Sequence, residues 1–347
     1  MTQMSAQQRF ASVRARLSEL ELWDADSLVM TAPGAVCSAA GEPVEAALFS
    51  AVSAPMAVLT AGRYAREFAK APHALCAETD DAAQMFGVRV PVRSAPRRGD
   101  TACIVPNRGF VVTARFENEL IAACILLEKL CMTARLSPRI GTPKPLAAPL
   151  CLIEHAVYTK KYSRPSLAAA QGEEAVPETQ DVSDLALRES VIVYGKKLVE
   201  NRLIQATWGN VSARIDADRF LITPSGVDYD RIRPEDIVEI RIADGSFAAG
   251  QRPSSEREMH RRIYAAALQT FAACRESLCT PEIDAPCAAY GVSGSKKLAE
   301  SASEVLRSHD LCIMANHGFT AVAADLETAL SRAVAAEEAA KRILESE

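Results

Sequence analysis

Three short turns between residues 209 and 255 combine glycine with small hydroxyl and amide side chains. In chain order they are Gly209-Asn210, Thr223-Pro224-Ser225-Gly226 and Ser254-Ser255. Glycine lets a ligand approach the backbone, and a helix that begins near Ser254 would direct unpaired N–H groups towards an anion. Together the turns predict a cradle for a phosphate or carboxylate group that requires no lysine. Taken singly, each turn is explained by ordinary capping and turn chemistry.

Two ionisable side chains stand close to these turns in the sequence. Glu256 follows the Ser-Ser turn directly and could transfer a proton to or from a bound ligand. His260 lies four residues later, on the same face of a predicted helix, and we interpret it as a packing histidine. Both residues therefore belong to the neighbourhood of the predicted cradle, with a chemical role expected only for Glu256.

The elements that must position these residues follow from the hydrophobic pattern. Ser183 is a natural N-cap for a helix whose apolar face is formed by Leu187, Val191 and Leu198. RFLITPSG predicts a strand that ends in a turn, DIVEIRI an alternating strand, and RPSSEREMHRRIYAAAL a helix that begins at the Ser-Ser turn. Helices and strands are interleaved, which predicts a mixed β-sheet covered by helices.

Part of this pattern occurs twice in the chain. TACIVPNRGFVVTA (101–114) matches DLCIMANHGFTAVA (310–323) at a constant offset, and each copy predicts a strand, a turn, a second strand and a helix. Upstream, LVMTAPGAV (28–36) resembles FLITPSGV (220–227), with threonine and glycine in register. The consistent order of the two matches indicates a tandem duplication with a degenerate first copy.

A proline-rich stretch separates the two copies. It holds six prolines and the polar run GEEAVPETQDVS, a composition that interrupts both helix and sheet. We therefore predict a degenerate domain over 1–136, a linker over 137–182 and a more complete domain over 183–347. Within the linker, PLCLIEHAVY is apolar enough to dock on one of the domains.

Composition limits the possible partners and the compartment. The 347 residues are 49% hydrophobic and 24% charged, with a net charge of −5 and charges of both signs interspersed. Such a chain lacks the basic face that nucleic-acid binding requires, and no apolar run reaches the ~18 residues of a membrane span. The first twenty residues carry charges every few positions and no apolar signal-peptide region, so we expect a cytoplasmic protein. The ten cysteines form no CxxC pair and several lie in apolar runs, so we expect buried free thiols.

The motifs resemble those of the class II aldolase/adducin family. The resemblance is carried by WGNVSARI, FLITPSGVDYDRIRPEDIVEI, RPSSEREMH, PCAAYGVSGSKKLAE and MANHGFTAVAADLETAL, and covers nearly all of 184–345. In the first copy, AVLTAGRYAREF, ETDDAAQMFGVRVPV and IVPNRGFVV look like the later part of the same domain. The resemblance implies two α/β domains of this family in tandem, the first without the opening helix and the Gly-Asn strand.

The resemblance also implies roles for individual residues. The three turns would bind the phosphate or acid group of the substrate, and Glu256 would be the acid/base. The residues of the turns in question are Gly209, Asn210, Thr223, Ser225, Gly226, Ser254 and Ser255.

Zinc is the cofactor that the resemblance implies, held by an H-x-H strand and a further histidine in an N-H-G turn. His317 matches the turn histidine, but Arg275 and Ser277 stand at the strand positions. In the first copy the corresponding residues are Thr60, Gly62 and Arg108. A single imidazole does not make a catalytic zinc site, which normally has three protein ligands.

Two functions from different classes remain open. The first is a sugar-phosphate aldehyde-lyase, as the family resemblance implies. The second is a catalytically inactive, adducin-like protein that binds a small phosphorylated or acidic ligand or serves as a scaffold. Because the simple aldolases of the family look like four-fold rings, we also expect two tandem chains to form a homodimer with pseudo-four-fold symmetry.

Overall fold

The computed structural model describes residues 5–136, 144–161, 184–201, 203–204, 208–266, 271–275 and 285–345. The chain divides into two compact units, Met1–Thr159 and Lys160–Glu347. None of the helices in the described ranges combines the length and the apolar character that crossing a membrane requires.

The first unit is built on a five-stranded antiparallel sheet with the order β2-β1-β3-β7-β6, and a separate two-stranded ribbon pairs β4 with β5. Its strands are β1 (Leu28–Ala32), β2 (Ala35–Ser38), β3 (Met56–Thr60), β4 (Leu75–Cys76), β5 (Arg89–Val90), β6 (Ala102–Val105) and β7 (Gly109–Ala114). Its helices are α1 (Ala6–Glu19), α2 (Arg63–Phe68), α3 (Asp80–Phe86), α4 (Glu117–Leu136) and α5 (Ala148–Lys161).

Helix α1 opens the first unit and is tied to the long helix α4. Ser5 caps α1 in a capping box, and Phe10, Val13 and Leu17 are buried at helical spacing along one face. The Ser12 hydroxyl donates a hydrogen bond to the Glu117 carboxylate at the start of α4, with an O···O distance of 2.6 Å. The apolar stripe and this contact hold α1 on α4.

The second unit is built on a seven-stranded sheet with the order β10-β9-β8-β11-β14-β13-β12. Its strands are β8 (Val211–Arg214), β9 (Arg219–Ile222), β10 (Val238–Arg241), β11 (Phe271–Arg275), β12 (Cys287–Ala288), β13 (Leu311–Met314) and β14 (Gly318–Ala323). Its helices are α6 (Leu185–Glu200), α7 (Arg257–Ala266), α8 (Lys296–Val305) and α9 (Leu326–Glu345). All neighbouring strands are antiparallel except β12 and β13, which are parallel. A mixed sheet covered by helices is therefore confirmed.

The core of the second unit lies between the sheet and the helices α6 and α9. Val191 and Leu198 of α6, Phe319 of β14 and Leu330 of α9 belong to one buried cluster. The Tyr194 hydroxyl of α6 donates a hydrogen bond to a carboxylate near the start of α9, as Ser12 does between α1 and α4. In both units the opening helix is thus anchored to the helix that follows the last hairpin.

The two sheets share five strands in the same pairing order, and this order corrects one sequence match. β2-β1-β3-β7-β6 of the first unit corresponds to β9-β8-β11-β14-β13 of the second. In this order β1 (Leu28–Ala32) corresponds to β8 (Val211–Arg214). The threonine and glycine in register had instead matched it to β9 (Arg219–Ile222). The match was wrong because both strands of the hairpin are short, apolar and followed by a turn. By their place in the first unit, α1 and β1 occupy the positions of the opening helix and the adjoining strand that we expected to be missing.

The two units differ most in the connection that follows the first hairpin. Between β2 and β3, residues 39–55 are fully described and contain only the short 3-10 turn Ala47–Phe49. Between β9 and β11, residues 223–270 include β10 and α7. The first unit therefore has no counterpart, in this fully described connection, of the helix that follows Glu256.

Part of the predicted linker 137–182 is folded. Ala148–Lys161 forms α5, and the Gln84 side chain donates a hydrogen bond to Glu154 of that helix with an N···O distance of 3.1 Å. The first unit includes α5 as far as Thr159. The expectation that proline spacing would exclude regular structure here was wrong for α5, whose prolines precede or begin the helix, where a missing N–H costs nothing. The remaining parts, 137–143 and 162–182, lie outside the described residues.

Candidate functional site

The candidate site lies at one edge of the sheet in the second unit. β8 begins and β9 ends at this edge, because the two strands are antiparallel and Ser212 is opposite Ile222. β11 ends and β14 begins there as well, with Arg275 opposite Phe319. The register therefore brings the residues just outside these strands to the same edge of the sheet, namely Asn210, Thr223 and His317.

The second and third turns are joined by backbone hydrogen bonds. The Ser254 N–H donates to the Thr223 carbonyl oxygen at 3.1 Å, and the Ser225 N–H donates to the Arg252 carbonyl oxygen at 2.8 Å. Thr223 is buried, and its hydroxyl oxygen accepts the Val211 N–H at 3.2 Å. These bonds fix the two turns against each other and against the start of β8.

The first turn is held by close packing. Gly209 has a φ of +77°, and a Cβ atom there would lie 2.4 Å from a methyl carbon of Ile204, so only glycine fits. The Gly209 carbonyl oxygen accepts a hydrogen bond from the Tyr229 hydroxyl at 3.1 Å. The backbone is thereby fixed immediately before Asn210, which is itself buried.

A buried histidine connects the first turn to helix α7. One ring nitrogen of His260, Nε2, lies 2.5 Å from Asn210 Oδ1, and the other, Nδ1, lies 2.7 Å from the Ser212 hydroxyl. His260 is 0% exposed, and burial lowers its pKa from 6.5 to about 3. The three predicted turns therefore converge around the start of α7.

The N–H groups at this convergence are only partly available to a ligand. Those of Ser225 and Ser254 bind carbonyl oxygens, and that of Glu256 donates to the Ser254 hydroxyl at 3.2 Å. The expectation of a helix start with freely directed N–H groups was thus wrong for Ser254 and Glu256, because acceptors within the turns bind these two N–H groups. Within the described part of the chain, the N–H groups of Gly226 and Ser255 take part in no hydrogen bond.

Glu256 is buried beside the cradle, and its carboxylate is held by a fourth turn. Its Oε1 atom accepts hydrogen bonds from the Ser293 hydroxyl and the Gly294 N–H, both at 2.8 Å. His317 Nε2 lies 3.9 Å from the same oxygen. Gly294 has a φ of +70°, and a Cβ atom there would lie 3.1 Å from the Ser255 carbonyl oxygen. The fourth turn thus contacts both Glu256 and the Ser-Ser turn.

The family resemblance implies metal ligands at three positions, those of Arg275, Ser277 and His317. Two of them, Arg275 and His317, lie at this edge of the sheet in the described structure. His317 lies in the turn between β13 and β14, after Asn316 with a φ of 58°, and Arg275 ends β11. Ser277 lies outside the described residues. Across the described ranges no group of three or more histidine, cysteine, aspartate or glutamate residues is placed to hold a metal ion.

The corresponding positions of the first unit have other contacts. The Thr60 hydroxyl donates to the Leu22 carbonyl oxygen and lies 3.2 Å from the Ser27 hydroxyl. A Cβ atom at Gly62 would meet the Glu128 carboxylate, which accepts N–H groups at the start of α2. Arg108 is exposed in its turn.

Sequence reasoning missed three parts of the site. His260 was interpreted as a partly buried packing residue, although its spacing from Glu256 placed it on the right face of α7. Ser212 follows the Gly-Asn turn by two residues, which puts its side chain on the same face of β8 as Asn210. The Ser293-Gly294 turn gave no signal, because its contact with Glu256 depends on the packing of α8.

Comparison with known proteins assigns the family. The model of the family described as Class II Aldolase and Adducin N-terminal domain matches residues 189–274 and 268–344. A 5-deoxy-D-ribulose 1-phosphate aldolase of Bacillus thuringiensis serovar kurstaki is 30% identical, over 42% of this chain and 78% of the relative. The L-fuculose phosphate aldolase of Escherichia coli O6:H1 is 32% identical, over 37% and 68% respectively.

Among solved structures, an L-fuculose 1-phosphate aldolase is similar with a TM-score of 0.42 and 30% identity, over 49% of this chain and 87% of that one. The second unit is an α/β domain with a buried polar site at one edge of a mixed sheet. The chain belongs to the class II aldolase and adducin family.

Proposed function

We propose that the second unit binds a phosphorylated sugar and that its phosphate group lies among the three turns. The observation that carries this proposal is the convergence of Asn210, Ser225 and Ser255 around the start of α7. The Asn210 amide nitrogen and the N–H groups of Gly226 and Ser255 have no partner within the described part of the chain. Such neutral donors near a helix N-terminus suit an anion.

The names of the relatives support a ketose phosphate as the ligand. One relative is named for 5-deoxy-D-ribulose 1-phosphate and another for L-fuculose phosphate. In this chain Glu256 is buried next to the Ser-Ser turn, so it would face the part of the ligand beyond the phosphate group. A carboxylate there is suited to accept hydrogen bonds from sugar hydroxyls or to transfer a proton.

Zinc does not fit the residues present. A tetrahedral catalytic site needs three protein ligands, and His317 is the one expected ligand that the sequence retains. The guanidinium of an arginine such as Arg275 carries no lone pair for a cation. Retro-aldol cleavage in this family depends on the metal as a Lewis acid. We therefore propose that cleavage is impaired or lost and that the protein acts by binding its ligand.

Aldehyde-lyase activity is the second candidate. Two observations favour it: Glu256 and His317 remain side by side, with 3.9 Å between Oε1 and Nε2, and both relatives above are named aldolases. The two candidates differ in their requirement for metal. Stoichiometric zinc in the purified protein together with cleavage of a ketose 1-phosphate would establish the lyase.

The first unit is proposed to be a second, degenerate domain of the same family. The shared strand order and the similar anchoring of α1 and α6 support a tandem duplication. The short connection over 39–55 leaves this unit without the helix that carries the cradle in the second unit. Its proposed role is self-association, with two chains in the assembly.

The experiment that tests ligand binding is a thermal unfolding series with inorganic phosphate and a ketose 1-phosphate. Both should raise the melting temperature by mass action, and Ser255→Asp should abolish the rise because a carboxylate would occupy the anion position. Ser308→Asp, at an exposed serine after α8, is the matched control and should retain the rise. An equal rise in the wild type and Ser255→Asp would refute the cradle.

A further inference from the structure

A neutral hydrogen-bond chain lies directly behind the proposed anion site. It runs from the Ser212 hydroxyl through the imidazole of His260 to the Asn210 side-chain oxygen, with distances of 2.7 Å and 2.5 Å. All three residues are buried, and His260 is 0% exposed. These hydrogen bonds link β8 to α7. The first turn precedes β8, and the third turn precedes α7.

The chemistry of the three side chains determines which atom donates and which accepts in each of these hydrogen bonds. A neutral imidazole has one donor and one acceptor nitrogen, and the lowered pKa of His260 keeps the ring neutral at ordinary pH. The Asn210 oxygen can only accept, so Nε2 of His260 carries the hydrogen. Nδ1 then accepts the hydrogen of the Ser212 hydroxyl. With the Asn210 oxygen facing Nε2, as in the structure, this tautomer satisfies both hydrogen bonds.

This assignment of donors and acceptors determines whether a ligand meets the oxygen or the NH2 group of the Asn210 amide. The oxygen is used by His260, which leaves the NH2 group, and that group has no partner within the described part of the chain although Asn210 is only 4% exposed. A flipped amide would present its oxygen to the anion and repel it. We propose that His260 is a positioning residue that fixes the Asn210 amide as a hydrogen-bond donor towards the bound anion.

The inference rests on the proposed binding function, and it adds a specific consequence. A ligand at this position must offer acceptor oxygens, as a phosphate monoester does, and a ligand that offers a hydroxyl donor alone is disfavoured. Because burial lowers the pKa of His260 to about 3, the ring stays neutral and the donor role persists across the neutral range. His260 thus acts on the ligand through Asn210 without contacting it.

The test compares two variants at position 260 by calorimetric titration with inorganic phosphate. His260→Phe retains the ring volume but removes both hydrogen bonds, and phosphate affinity should fall about tenfold, the loss expected for one hydrogen bond. His260→Gln should restore most of the affinity, since its NH2 group can donate to Asn210 and its oxygen can accept from Ser212. A purely structural role would not be rescued in this way.

Nitrogen-15 NMR of the wild-type chain gives a second readout that does not depend on a variant folding. The expected signal is an Nε2-protonated, Nδ1-unprotonated imidazole that does not titrate between about pH 5 and pH 8. An Nδ1-protonated ring, or phosphate affinity unchanged in His260→Phe, would overturn the positioning role alone. Absence of phosphate binding in the wild type would instead refute the proposed function and, with it, this role.

Discussion

Burial of His260 should make the second unit less stable in mild acid. The folded pKa is about 3 against an ordinary value of 6.5, so the unfolded chain binds one more proton between these values. Stability from this residue is complete above 6.5 and is lost as the pH falls towards 3. Integrating the difference from about pH 7.5 to pH 5 gives a loss of about 2 kcal/mol in the free energy of unfolding.

The assay is urea unfolding at a series of pH values with a probe confined to the second unit. Trp208 lies in that unit and Trp23 in the first, so a Trp23→Phe background leaves fluorescence from the second unit alone. His260→Gln in this background should lose the acid dependence attributed to His260, whereas His309→Gln, at an exposed histidine, should retain it. Equal pH slopes in the background chain and His260→Gln would refute a buried neutral His260.

Three further predictions concern other parts of the chain. Gly294→Val should weaken phosphate binding, because the new side chain would meet the Ser255 carbonyl oxygen at a strained φ of +70°; calorimetry showing unchanged affinity would contradict the close approach. Glu128→Ala should lower the free energy of unfolding of the first unit by about 1–3 kcal/mol, because the Tyr64 N–H loses its acceptor; denaturant unfolding without a change would contradict that cap. Light scattering behind size exclusion should give the mass of two chains, and a mass of one chain at micromolar concentration would exclude self-association.

Much of the second unit could be predicted because its local signals agree with each other. The helix that ends at Glu200 and the turn at Gly226 follow from apolar periodicity and from proline and glycine placement. The first two turns lie at ends of the neighbouring antiparallel strands β8 and β9, whereas the Ser254-Ser255 turn precedes α7 and is joined to the second turn by the hydrogen bond from the Ser254 N–H to the Thr223 carbonyl oxygen. The proposal that the three turns form one site could be made from the sequence alone.

The features that could not be predicted depend on tertiary packing. The neutral state of His260 depends on complete burial, which its sequence spacing does not reveal. The place of β1 in the sheet depends on which strands it pairs with, and a short apolar strand carries little information about that. Helix α1 did carry a signal, since Phe10, Val13 and Leu17 repeat at helical spacing, but the family resemblance covered only later motifs.

The most direct test of this account is calorimetric titration of the metal-stripped full chain with a ketose 1-phosphate. If the three turns bind the phosphate group and no zinc site is required, the stripped wild type should bind one ligand per chain. The Ser255→Asp variant should not bind, whereas Ser308→Asp should bind as the wild type does. Binding that appears only after stoichiometric zinc is restored, or that persists in Ser255→Asp, would contradict the account.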